Sequence, residues 1–207
     1  MANTVITIAR SYGSGGRTLG MQLAKELGIN CYDREIIRMA SDDSGISEEL
    51  FGAADERLKK SHLAAILKRE PYKGRVIPPE SSNFVSDDNL FNYQAKVIKQ
   101  LAEEESCIII GRCADYVLKD YDNVIRLFFY APKEDCMKRL IRQTKEPEAE
   151  LSKKMEKIDK YRADYYKYYT GREWNDTRNY DLCINTATMD YDKLIKVVKN
   201  YIDICGK

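Results

Sequence analysis

The order in which apolar runs and helical patterns follow one another constrains this chain more than any other feature. Thr4-Val5-Ile6-Thr7-Ile8 is β-branched throughout and reads as a strand. Glycines follow it, and then Leu19, Leu23 and Leu27 recur at helical spacing until Gly28 closes the element. Further strand-like runs lie at 29–32, 106–110, 124–130 and 181–185, and the continuous apolar run at 106–110 marks a strand buried on both faces. Helical patterns occupy about 87–105, 112–119, 132–143, 148–170 and 190–203, with Pro132 suited to a first helical turn. Strands alternating with helices predict the α/β class, a parallel sheet covered on both faces.

Two regions interrupt the alternation. Residues 41–86 hold a charged helical stretch and then a Pro/Gly/Ser loop from Glu70-Pro71-Tyr72-Lys73 to Ser82, the composition of an insertion or mobile cover. Residues 145–180 are rich in Lys, Arg and Tyr and poor in aliphatics. Both read as appendages on one domain of 207 residues, a length that buries a full core without disulfides or a structural metal.

Composition removes several function classes. Thirty-four Lys and Arg face 33 Asp and Glu, a formal net charge of +1, so the overall field does not hold nucleic acid or anionic membrane. Lys153, Lys154, Lys157 and Lys160 are interleaved with Glu150, Glu156 and Asp159, which also argues against a nucleic-acid face. No run approaches the roughly 20 apolar residues that span a bilayer. The start of the chain lacks the basic region of a secretory signal, so a cytoplasmic location is expected. The six cysteines form no Cys-x-x-Cys pair and read as free thiols of a reducing compartment. His62 is the only histidine, which excludes a histidine triad and a multi-histidine metal site.

The segment Arg10-Ser11-Tyr12-Gly13-Ser14-Gly15-Gly16-Arg17-Thr18 joins the first strand to the first helix. A phosphate-binding loop needs glycines so that the backbone can curl and point N–H groups at phosphate oxygens. It also needs a helix amino terminus behind them, a cation for the β/γ phosphates and a hydroxyl for magnesium. Gly13, Ser14, Gly15 and Gly16 supply the curl, Arg17 the cation and Thr18 the hydroxyl. Against the pattern G-x-x-x-x-G-K-[ST], Ser11 stands for the first glycine and Arg17 for the lysine.

Arg10-x-Tyr12-Gly13-Ser14-Gly15-Gly16-Arg17, Tyr32-Asp33-Arg34-Glu35-Ile36-Ile37 and Ile109-Ile110-Gly111-Arg112 together resemble the cytidylate kinase-like proteins, relatives of the nucleoside monophosphate kinases within the P-loop kinases. The resemblance continues through Tyr161-Arg162-Ala163-Asp164-Tyr165-Tyr166, Thr170-Gly171, Trp174 and Tyr180-Asp181. It implies a three-layer fold with a five-stranded parallel sheet, a helical acceptor-binding insertion and an arginine-bearing lid. It further implies phosphoryl transfer from ATP with Mg2+ to a small phosphorylated acceptor such as CMP or dCMP. A kinase for a different small molecule and a non-catalytic nucleotide sensor remain alternatives.

In that frame the remaining candidates fall into place. The resemblance puts Arg112 on the acceptor nucleotide, although cytidylate kinases proper continue Gly-Arg with Asp, whereas here Cys113 follows and the next acid is Asp115. Asp33 could hold magnesium through water, orient the acceptor, or cap the helix that follows. Arg34 could meet the acceptor phosphate or be a solvated first-turn residue. Arg162, Arg139 and, less directly, Arg142 are candidates to neutralise the transferring group from a closing lid. The Tyr161, Tyr165 and Tyr169 stripe at i, i+4, i+8 is a packing seam or a stacking platform. Trp174 could serve as a hinge or lid anchor.

Overall fold

The computed structural model describes residues 3–58 and 74–205. His62 and the Glu70-Pro71-Tyr72-Lys73 end of the expected loop lie outside the described residues. Five strands, β1 (Val5–Arg10), β2 (Asn30–Tyr32), β3 (Cys107–Ile110), β4 (Val124–Tyr130) and β5 (Leu182–Asn185), form one sheet in the order β2-β3-β1-β4-β5. All pairings are parallel, and β1 runs in register from Val5 opposite Cys107 on one side and Val5 opposite Val124 on the other. The chain leaves β1 toward β2 and later crosses from β3 over β1 to β4. Crevices therefore open at the carboxyl ends of these central strands, where α/β proteins bind ligands.

Side-chain alternation along the strands builds the two outer layers. Ile6 and Ile8 of β1, with Ile108, Ile110, Ile125 and Leu127, pack on Leu19 and Leu23 of α1 (Gly16–Leu27) and on Leu194, Ile195 and Val198 of α8 (Tyr191–Cys205). On the opposite face Val5, Cys107, Ile109 and Val124 meet α2 (Glu35–Ser44) and α4 (Asp87–Glu104). The remaining helices are α3 (Glu48–Leu58), the single-turn α5 (Ala114–Val117), α6 (Lys133–Gln143) and α7 (Glu148–Thr170). Central residues such as Ile6, Ile108 and Leu127 are fully buried, and each contributes about 1.5–3 kcal/mol relative to an exposed position. The three-layer α/β architecture is the expected one.

Local departures have local causes. β1 runs on to Arg10 because Arg10 still pairs opposite Phe129 of β4. Pro132 is the N-cap of α6, one residue before the helix, with an extended ψ of 145°. α1 ends where expected: Gly28 takes φ +68°, and its N–H bonds the Lys25 carbonyl.

Two tertiary devices hold the elements that flank the sheet's carboxyl end. Phe91 of α4 stacks on Tyr169 of α7 with ring centroids 3.8 Å apart and meets Tyr165 edge-on at 6.1 Å. The tyrosine stripe is thus a packing seam at Tyr165 and Tyr169. Asn89, buried on α4, donates from Nδ2 to the carbonyls of Ile77 (3.0 Å) and Phe84 (2.8 Å) and accepts from Ile77 N–H (2.7 Å). A wholly buried amide with those bonds ties residues 77–84 to α4.

Candidate active site

The glycine loop is held from behind through its carbonyls. Ser14 Oγ donates to Ser11 O (2.8 Å), Thr186 Oγ1 to Ser14 O (2.7 Å) and Arg139 Nη1 to Gly13 O (2.7 Å). Gly15 is the N-cap of α1 and has no side chain to cap that helix. Gly16 N–H donates to Ser14 Oγ (3.4 Å), and the N–H groups of Arg17 and Thr18 follow it in the first turn, with the positive end of the helix dipole behind them. Gly15 has φ +80°, and a Cβ there would strike the Tyr191 hydroxyl; a Cβ on Gly16 would lie 2.7 Å from Arg10 Cβ. Only glycine fits either position.

A cleft of about 380 Å3 opens beside this loop, within the range of small-ligand sites. Five arginines line it, Arg10, Arg17, Arg34, Arg112 and Arg162, against two aspartates, Asp33 and Asp115. Arg17 Nε donates to Asp33 Oδ2 at 2.7 Å, and Arg10 Nη2 lies 3.8 Å from Asp33 Oδ1. Arg162 Nη1 donates to the Arg10 carbonyl (3.0 Å) and to Asp159 Oδ1 (3.1 Å), and the same oxygen accepts from Tyr12 N–H (2.8 Å). Burial pushes Arg10 down to about 10, reinforced by the charges of Arg162, Arg112 and Arg17 and only partly offset by Asp33. Burial also lowers Arg162, with Asp159 opposing. Both stay protonated at neutral pH, so the cleft keeps more positive charge than its own acids answer.

Arg112 is placed by an unusual backbone. Gly111, Arg112 and Cys113 carry φ values of +77°, +57° and +54°, three left-handed residues in succession at the end of β3. Two non-glycine residues in that region cost about 1–3 kcal/mol each, a strain tolerated where function fixes the geometry. At Gly111 a Cβ would also meet Arg10 Nη1. Gly111→Ala is expected to cost about 1–3 kcal/mol from strain and overpacking. A melt unchanged from the parent protein would show that this corner is not constrained.

The candidates of the sequence separate into two groups. Arg17, Asp33, Arg112 and Arg162 come together in the cleft, with Arg34, Tyr161 and Trp174 also on its wall. Gly13, Ser14, Gly15, Gly16 and Thr18 occupy the β1–α1 loop and the first turn of α1, and none of them is among the residues that line the cleft. Asp33 does not cap α2: the N-cap is Arg34, no side chain bonds there, and Asp33 is committed to Arg17. Arg139 is not brought into the cleft. Besides Gly13 O it reaches Thr186 O (3.3 Å) and lies 5.8 Å from the Tyr191 ring centroid, a brace behind the loop. Arg142 is exposed on α6. Trp174 meets Phe128 edge-on with centroids 5.4 Å apart, an anchor on β4.

Three further residues belong to the site without having been singled out for it. Arg10 carries a signal, a charged residue ending an otherwise apolar strand, but its neighbour was the glycine loop and it read as loop sequence. Asp159 sits in a charge-dense helix where nothing local distinguishes it from Asp164. Asp115 is buried, accepts from the Tyr166 hydroxyl at Oδ2 (2.6 Å), and is pushed up to about 6 by burial, with that bond and the charges of Arg126 and Arg172 opposing.

The arrangement has relatives. The model of the cytidylate kinase-like family matches residues 5–188. Cytidylate kinase from Thermococcus kodakarensis is 26% identical over 200 residues, covering 96% of this chain and 88% of its own. That from Methanosarcina barkeri is 25% identical over 202 residues, 96% of either chain. The crystal structure of an uncharacterized protein from Eubacterium ventriosum superposes with a TM-score of 0.70 at 27% identity, covering 97% of this chain and 99% of that one. A shikimate kinase from Bacteroides thetaiotaomicron shares the fold at a TM-score of 0.55 and 12% identity, covering 97% of this chain and 98% of its own. Among the described residues no helix is long and apolar enough to cross a membrane. With a parallel sheet, a glycine loop and a family model matched from the first strand to beyond the fifth, the chain belongs to the cytidylate kinase-like family.

Proposed function

We propose that this protein transfers the γ-phosphoryl group of ATP to a nucleoside monophosphate, with cytidylate as the preferred acceptor. One observation carries the reading: five arginines against two aspartates in a cleft at the carboxyl end of a parallel sheet, beside the amino terminus of α1. That is a site for two phosphate-bearing ligands. Phosphoryl transfer asks the protein to align them and to spread the charge of the migrating group, which planar guanidinium forks do well.

The loop N–H groups and Arg17 hold the donor's β and γ phosphates, Arg17 giving up Asp33 to do so. Arg112 holds the acceptor phosphate. Arg162, fixed by Asp159 and the Arg10 carbonyl, faces the migrating group and balances its charge. Thr18 is exposed in the first turn of α1, and Asp33 pairs with its neighbour Arg17 (2.7 Å), a hydroxyl and a carboxylate of the kind suited to a hard cation. These two are the residues that would hold the Mg2+ carried with ATP, which supplies charge neutralisation at the β and γ oxygens.

A coupled assay with ATP and Mg2+ against CMP, dCMP, UMP and AMP tests the reading. Transfer with CMP fastest is the expected result, and no turnover on any of the four overturns it. Arg112→Ala is expected to raise the acceptor KM by about a hundredfold while ATP affinity stays put. A change confined to ATP binding would move Arg112 to the donor side. A kinase for another small acceptor is the second reading, drawn from Cys113 standing where cytidylate kinases proper carry an acid.

A further inference from the structure

Arg10 is the last residue of β1 and lines the cleft with a side chain only 19% exposed. Its stem lies against the glycine loop, where a Cβ on Gly16 would come within 2.7 Å of Arg10 Cβ. Its head lies against the corner at the end of β3, where a Cβ on Gly111 would collide with Arg10 Nη1. Two glycines on different elements thus leave the space that this one side chain fills. Gly16 belongs to the loop read as holding the donor, and Gly111 directly precedes Arg112, read as holding the acceptor. The guanidinium therefore sits where the two halves of the cleft meet.

The fold makes little use of that guanidinium. Arg126 donates to the carbonyls of Leu118 and Lys119, and Arg139 to those of Gly13 and Thr186, as arginines that brace a structure do. Arg10 makes no side-chain hydrogen bond among the described residues. Its ion-pair contact is Asp33 Oδ1 at 3.8 Å, and Asp33 is already engaged by Arg17 Nε at 2.7 Å. Burial and the charges of Arg162, Arg112 and Arg17 disfavour the charged form of Arg10 in the folded chain, and Asp33 only partly opposes them. A cation is thus held in place against its own desolvation, with its donors still open to the cleft. An anion with several oxygens is the ligand that answers a planar fork so placed.

We propose that Arg10 is a further catalytic residue, whose fork contacts the migrating phosphoryl group from the floor of the cleft, one edge toward the donor and the other toward the acceptor phosphate. The inference rests on the nucleotide-kinase reading and deepens it. In transfer, the bond between the γ phosphorus and the β–γ bridging oxygen breaks, and its electron pair stays on ADP. An oxygen of the acceptor phosphate supplies the pair for the new P–O bond. Negative charge shifts from one side of the phosphorus to the other, and a cation fixed astride that line stabilises it throughout. Arg17 is exposed and must first leave Asp33, whereas Arg10 is wedged between Gly16 and Gly111 before any ligand arrives.

Arg10→Met keeps an unbranched stem between the two glycines and removes the fork. Its kcat is expected to fall about a hundredfold, with far smaller changes in the KM of ATP and of the acceptor. The melting temperature of the ligand-free variant should hold or rise, because a desolvated cation beside three others has been withdrawn. That pairing of a lost rate with an undiminished melt is what a merely structural arginine would not give. Arg10→Lys restores a charge on the same stem without the fork, and its kcat should stay about tenfold below the parent. It reads the proposal independently of how well the methionine variant folds. A kcat within about threefold of the parent in either variant overturns this inference and leaves the kinase reading standing. A loss confined to one KM does the same, as does a melting temperature lowered by more than about 4 °C in Arg10→Met. No turnover of CMP, dCMP, UMP or AMP by the parent protein overturns both.

Discussion

Arg162→Ala is expected to lower kcat by about a thousandfold, with a far smaller change in ATP affinity. The side chain bridges the Arg10 carbonyl and Asp159 and is only about one-fifth exposed. Its guanidinium is therefore already oriented before substrate arrives, and pre-orientation is where such a donor gains its effect. Truncation also removes a partner from Asp159, whose pKa burial raises and whose remaining bond is the Tyr12 N–H. A stability loss of about 1–3 kcal/mol should accompany the catalytic one. Arg162→Lys separates the two effects. It keeps a charge near Asp159 and should recover most of the melting temperature, but not the rate, because an ammonium lacks the planar fork. A kcat for Arg162→Ala within about threefold of the parent would remove Arg162 from the chemistry.

Arg17→Ala is expected to weaken ATP binding by about a hundredfold, measured by calorimetry in the presence of Mg2+. The stability cost should be small, because a side chain 59% exposed gains little from its ion pair with Asp33. Arg17→Lys should recover a large part of the affinity, since a lysine stands at this place in the usual phosphate loop and serves as a point charge. The ion pair itself is informative. Arg17 rests on Asp33 at 2.7 Å, so donor binding must exchange a carboxylate for phosphate oxygens. Asp33→Asn should accordingly release Arg17 and tighten binding of ATP without metal. Unchanged ATP affinity in Arg17→Ala would mean that the loop N–H groups hold the phosphates alone.

The fold and the glycine loop between β1 and α1 were legible residue by residue. Period-two runs and period-3.6 runs are local properties, and Leu19, Leu23 and Leu27 declare α1 without reference to anything distant. Gly13, Gly15 and Gly16 mark the loop because only glycine takes these conformations and approaches. Asp33 shows where local reading stops. Capping and ion pairing are both natural for an aspartate before a helix, and the choice was made by Arg17, sixteen residues away on another element.

Sequence by itself determined the α/β alternation, the glycine loop between β1 and α1, and Arg17, Arg112 and Arg162 as phosphate-binding candidates. The alternation and the loop follow from backbone sterics and short-range periodicity, which each stretch carries within itself, whereas Arg112 and Arg162 were candidates through the family resemblance. Only the tertiary structure decided which charges face the cleft. Arg139 turns behind the loop to Gly13 O, 126 positions away, while Arg162 reaches the Arg10 carbonyl across 152. Asp115 meets Tyr166 across 51 positions and acquires its raised proton affinity only from the burial that packing imposes. A side chain's direction and its solvation are set by neighbours distant in the chain, so no window of sequence contains them.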